Sequence, residues 1–175
     1  MLAKFIIITF TAEVLLSQNT ALASCVNTTC PKWVKLNKSP VCFGAKGNSF
    51  GKFTYDRNIF VSSFMFVHRT GTVTCNKSQY SYWGCAPDNK GLSVILTDQQ
   101  DKILAPAASK VNQYGGYNLE GYTSSSSFLV FCVPKKPHCI FANSELRLWY
   151  GEDLKGSTES DNGGRTCADV YGLVA

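Results

Sequence analysis

Ser127-Phe128-Leu129-Val130-Phe131-Cys132-Val133 is the most apolar of the short runs in this chain, and Pro134 stops it. Seven residues, five of them aromatic or aliphatic, between turn formers are too few for a helix but enough for a buried strand. Outward from it the pattern repeats. Asn58 to His68 is dense in Phe60, Val61, Phe64, Phe66 and Val67, and Thr70-Gly71-Thr72-Val73-Thr74 follows with β-branched residues. Leu92–Thr97 and Lys102–Ala105 flank the polar Asp98-Gln99-Gln100-Asp101, which predicts a hairpin. Cys139–Ala142, Glu145–Tyr150 and Ala168–Leu173 complete the set. Many short strands separated by Gly, Pro, Asn and Ser, with almost no helical period, predict an all-β chain: a disulfide-stabilised antiparallel β-sandwich, jelly-roll-like.

The N-terminus has a different character. A positive start at Lys4, an apolar run from Phe5 to Leu16 and the small-residue sequence Ala21-Leu22-Ala23 predict a signal peptide over residues 1–23. The run is too short for a transmembrane anchor and contains Glu13. Leu22-Ala23-Ser24-Cys25 is an alternative lipoprotein box, but Ser17-Gln18-Asn19-Thr20 separates it from the apolar run. Residues 24–46 carry three cysteines, two prolines and several lysines, and are expected to form a Cys-rich cap held to a 47–175 sandwich through Trp33 and Val34.

Eight cysteines, Cys25, Cys30, Cys42, Cys75, Cys85, Cys132, Cys139 and Cys167, follow the leader. Together with export they imply a disulfide framework rather than thiols or zinc ligands, and no C-x-x-C pair occurs. Eight cysteines allow 105 pairings. The short spacing favours Cys75 with Cys85, and one bond is expected to tie Cys167 back to the body. Three sequons, at Asn27, Asn37 and Asn76, are expected glycosylation sites on an extracellular chain, the second weakened by Pro40.

The net charge of +5 is scattered. Without a basic run or an Arg-rich stretch interleaved with aromatics, a solvated basic face is expected instead of a nucleic-acid surface, with weak attraction to anionic polysaccharide or membrane surfaces left open. His68 and His138 are the only histidines and neither sits in a nucleophile or carboxylate motif, so no catalytic residue is assigned. Tyr82, Trp83, Tyr114 and Tyr117 are the candidate ligand-binding rings, against the competing reading that the tryptophans plug the core. Glu152, Asp153, Glu159, Asp161 and Asp169 concentrate acid in a basic chain. They are candidate Ca2+ ligands, with a solvated or salt-bridged loop as the default.

Leu146-Arg147-Leu148-Trp149-Tyr150-Gly151-Glu152-Asp153-Leu154 and Thr158-Glu159-Ser160-Asp161-Asn162-Gly163-Gly164-Arg165-Thr166-Cys167-Ala168-Asp169-Val170-Tyr171 form the most specific pattern. With His68-Arg69-Thr70-Gly71, Trp83-Gly84-Cys85 and the Leu92 to Asp98 run, it resembles a secreted cysteine-containing module of cnidarian extracellular proteins, including coral skeletal organic matrix proteins. The resemblance implies a matrix or surface role and carries no catalytic residues across. Three readings stand: a secreted matrix or surface module binding an extracellular matrix protein or polysaccharide; a lectin-like or defence protein binding glycans, with or without Ca2+; and a secreted hydrolase.

Overall fold

The computed structural model describes residues 31–85, 91–132, 137–156 and 159–174. The expected leader, Cys25, Cys30 and Asn27 lie outside them. Eleven strands are described: β1 (Lys32–Lys35), β2 (Val41–Gly44), β3 (Gly51–Thr54), β4 (Ile59–Val61), β5 (Ser63–Thr74), β6 (Val94–Asp98), β7 (Ile103–Ala105), β8 (Phe128–Cys132), β9 (His138–Ile140), β10 (Glu145–Tyr150) and β11 (Gly163–Val174). One helical turn, α1 (Gly151–Lys155), interrupts them. One sheet runs β1-β11-β5-β8, with β2 also paired to β11; a second runs β3-β10-β6-β7; β4 and β9 form a two-stranded ribbon. Every pairing is antiparallel, as expected of a sandwich.

Alternation explains the layers. Leu129 and Phe131 of β8 are buried while Phe128 and Cys132 are exposed, and β5 likewise buries Phe64 and Phe66. From the other sheet Val94, Leu96, Leu146 and Leu148 close on the same core. Each such side chain contributes about 1.5–3 kcal/mol on burial. The predicted hairpin is β6–β7, with Asp98 Oδ1 accepting from the N–H groups of Gln100 and Lys102, both at 2.9 Å.

Three expectations need correction. First, the part of the expected 24–46 cap that is described supplies β1 and β2, both paired with β11, and the expected boundary at 46/47 lies in the connection from β2 to β3. Strands of four residues lie below what a sequence pattern can detect. Second, the separate runs 58–68 and 70–74 are redivided: the chain bends at Ser62 and then continues unbroken through Arg69, the extra residue of a bulge opposite Cys167 and Ala168. Third, the stretch after Gly151 opens as a helical turn instead of an open loop, capped at Gly156 in the left-handed conformation (φ 63°).

The expected Cys75–Cys85 bridge is present, and Cys167 is tied back to Cys42, its direct cross-strand partner on β2. Cys132 and Cys139 are both exposed, and neither is bridged to another cysteine among the described residues. Cys132 of β8 faces Ser63 on β5 and Cys139 of β9 faces Phe60 on β4, so the two sit on strands of different sheets.

Candidate functional site

The four candidate rings have different fates. Trp83 is fully buried, its indole N–H donating to Ser126 O at 2.6 Å, and Tyr117 is buried with its hydroxyl donating to Val94 O at 2.6 Å. Burial also pushes the Tyr117 phenol well above its ordinary range. Tyr82 is half-buried, stacked on His68 with centroids 3.8 Å apart. These three belong to packing: Trp83 and Tyr117 are part of the core and Tyr82 packs against it. Only Tyr114 presents its ring, at 59% exposure.

Tyr114 stands on a loop that its neighbours hold rigidly. Asn112 Oδ1 accepts from the Tyr114 and Gly116 amides at 2.9 and 3.0 Å, closing the loop on itself. Gly115 (φ 84°) then meets Gly151 at the start of α1 so closely that a Cβ on either would collide with the other's backbone. Gly151 N donates to Ser93 O at 2.6 Å, so β6, α1 and the loop are fixed together. The outcome is a cleft of about 320 Å³ that brings Asn112, Tyr114, Asn118, Ser93 and Glu152 to one surface. Its volume is at the lower end for small-molecule sites.

Glu152 supplies the cleft's carboxylate. Partial burial pushes its pKa up, Asn162 Nδ2 donating at 2.7 Å to Oε2 pulls it down, and Asp161 and Glu159 raise it further. The other expected Ca2+ ligands are largely committed. Asp153 accepts from the amides of Asn48 and Ser49 at 2.7 and 2.8 Å, and Glu159 Oε2 accepts from Gly47 N at 2.9 Å, so these acids cap the loop after β2. Asp169 is elsewhere: it is buried on β11, salt-bridged to Lys35 Nζ at 2.9 Å and Arg69 Nε at 2.6 Å, and accepts from Asn37 Nδ2 at 3.0 Å. Burial raises the Asp169 pKa, but those hydrogen bonds outweigh it and hold the carboxyl below its ordinary value. The five-acid set therefore does not converge, and among the described residues no group of three His, Cys, Asp or Glu is placed to hold a metal ion. Around Glu152 the buried Asn162 Oδ1 has no hydrogen-bond partner.

Asn37 is also reassigned. It is 4% exposed, its amide donates to Ser39 O and Asp169, and its oxygen accepts from Val170 N at 2.7 Å, so a glycan has neither room nor a free amide there. Asn76, half-buried in a turn, uses only its oxygen as an acceptor, from Thr74, Ser78 and Gln79. Sequence reasoning found Tyr114 and Glu152 separately but missed Asn112 and Asn118. The Gly/Tyr composition of the loop was the signal; the glycine pair that joins it to α1 is separated by 36 positions and visible only in three dimensions.

The described residues form a disulfide-bonded all-β sandwich with a rigid, aromatic-edged cleft, and no helix among them is long and apolar enough to cross a membrane. No protein-family model and no curated protein matches the chain. The chain is similar to the solved structure of AJLec from the sea anemone Anthopleura japonica, with 40% identity and a TM-score of 0.76 over 83% of this chain and 99% of that one. The chain belongs to the family of AJLec. The expected cnidarian kinship is thereby borne out, without the link to coral skeletal matrix proteins.

Proposed function

We propose that this protein is an extracellular glycan-binding protein of lectin type, binding without catalysis. The kinship with AJLec, by its name a lectin, carries this reading, since it spans nearly all of that chain. It favours the lectin-like reading over the matrix module. The cleft supports it chemically: the exposed face of Tyr114 suits the C–H face of a sugar ring, while Asn112, Asn118 and Glu152 offer amide and carboxylate partners for hydroxyl groups. Two disulfides fit an oxidising, extracellular setting.

Glycan-array binding by the mature protein, run with Ca2+ and with EDTA, tests the proposal. Binding should be saturable and fall at least tenfold in Tyr114→Ala and in Glu152→Gln, with the melting temperature held within about 2 °C. Ca2+ dependence that Glu152→Gln abolishes supports the cation-assisted form of the reading, in which the free oxygens of Glu152, Asp161 and Asn162 hold the ion. Equal binding by Tyr114→Ala and the parent protein would move the site elsewhere. No binding to any glycan would return the matrix-module reading to first place.

A further inference from the structure

A second surface lies where β2 of one sheet meets β3 of the other, and it shares no lining residue with the Tyr114 cleft. Gly51, at the start of β3, is packed against Cys42 O and the Val41 side chain at 2.6 Å from where its Cβ would stand, so the two strand ends adjoin with no side chain between them. The space beside this contact is an open groove of about 510 Å³. Lys38, Lys52 and Arg165 line it and no acid does. Lys38 and Arg165 form no ion pair among the described residues, and the exposed Lys52 has one long contact, to the half-buried Glu145 at 3.9 Å, which Arg147 already holds at 2.7 Å. Arg147, whose guanidinium covers Phe50 at 4.7 Å, is neutralised by Asp101 and Glu145 and adds nothing to the field. Arg165 also borders a neighbouring recess that contains Lys46, so four cations follow one another along this edge.

Three exposed cations in a recess that no acid lines focus positive potential and select polyanions. We propose that this groove binds the anionic groups of an acidic polysaccharide, sulfate esters first, as a site separate from the Tyr114 cleft. The chemistry narrows the partner. A small free anion needs convergent buried donors, whereas this groove is open and its cations are exposed side chains. Single-stranded nucleic acid needs free rings for base stacking, but Phe50 is already packed on Trp149 at 4.4 Å and covered by Arg147, and Phe53 is half-buried. A bilayer surface does not follow a recess. A flexible glycan chain does, with its sugars against the apolar floor of Pro40 and Phe53 and its anions on Lys38, Lys52 and Arg165.

The test is binding of the mature protein to heparin, to chemically desulfated heparin and to duplex DNA over a series of salt concentrations. A groove variant, Lys38→Gln with Lys52→Gln and Arg165→Gln, is compared with a control of equal charge change, Lys32→Gln with Lys102→Gln and Lys110→Gln. In the groove variant affinity for heparin should fall about tenfold or more at 0.1 M salt, with a shallower dependence on salt, because condensed counterions are no longer released there. The control should stay within about twofold, and desulfated heparin should bind the parent at least tenfold more weakly. If the triple variant melts early, Lys38→Gln and Arg165→Gln alone should each cost about threefold. Equal losses in groove and control variants would show that net charge alone is at work. Undiminished binding of desulfated heparin, or tighter binding of DNA, would likewise overturn the proposal. The inference does not rest on the lectin reading: glycan-array binding through Tyr114 should survive in the groove variant.

Discussion

Replacing Asp169 by Asn separates the two roles that its position allows. The carboxylate is 2% exposed and accepts from Lys35, Asn37 and Arg69 at 2.9, 3.0 and 2.6 Å. Hydrogen bonds to a charged group are each worth about 1.5–3 kcal/mol when buried. The cationic ends of Lys35 and Arg69 are 36% and 43% exposed, so they regain much of their hydration once the charge is gone. Asn keeps the shape and a neutral bond to Asn37, which leaves a net loss of about 2 kcal/mol. For a chain of this size that is a melting-temperature decrease of about 4–8 °C. The pH dependence is diagnostic. The Asp169 pKa is held below 3.8 in the folded protein, so its contribution is present above 3.8 and disappears as pH falls through the folded value. Urea unfolding of the parent and Asp169→Asn should therefore differ at pH 7 and converge near pH 2. A difference that persists unchanged to pH 2, or a parent stabilised by Ca2+ when Asp169→Asn is not, would refute the ion-pair assignment and restore Asp169 as a metal ligand.

Three further outcomes follow from the same structure. Burial raises the pKa values of both Glu152 and Asp153, so the folded protein binds their protons more tightly and unfolding free energy should rise as pH falls from neutral toward 4.5; a steady decline from pH 7 downward in urea titrations would contradict this. Removing the Cys42–Cys167 bridge as Cys42→Ala with Cys167→Ala should lower stability by about 2–5 kcal/mol, since it closes the chain over 125 positions; an unchanged denaturation midpoint would refute it. Gly115→Ala should cost at least about 2 kcal/mol and abolish glycan-array binding, because its Cβ would strike the Gly151 backbone. Gly121→Ala, also at positive φ but with open space around it, should cost only about 1 kcal/mol by differential scanning calorimetry and keep binding.

The layered architecture was legible because it depends on period: Leu146, Leu148 and Tyr150 alternate with Arg147 and Trp149 in the sequence and on the two faces of β10. The Cys75–Cys85 loop was legible because ten positions are a short span. The strands β1, β2 and β3 were not, since four residues with lysine or glycine among them owe their conformation to the long β11 and β10 beside them. Asn37 and Asp169 looked like a glycan acceptor and a cation ligand because a motif records neighbours along the chain. Their real partners are each other, 132 positions apart.

By itself the sequence determined that this chain is built from antiparallel strands and bonded by disulfides, because alternation and local spacing are properties of short segments. Only the tertiary structure decided which of its aromatic rings stay in water, which acids are neutralised by bases, and that two glycines press a tyrosine-bearing loop against Glu152. Those outcomes are set by burial and by contacts between distant strands, where the free energy of desolvating a ring or a charge depends on what the rest of the fold brings to meet it.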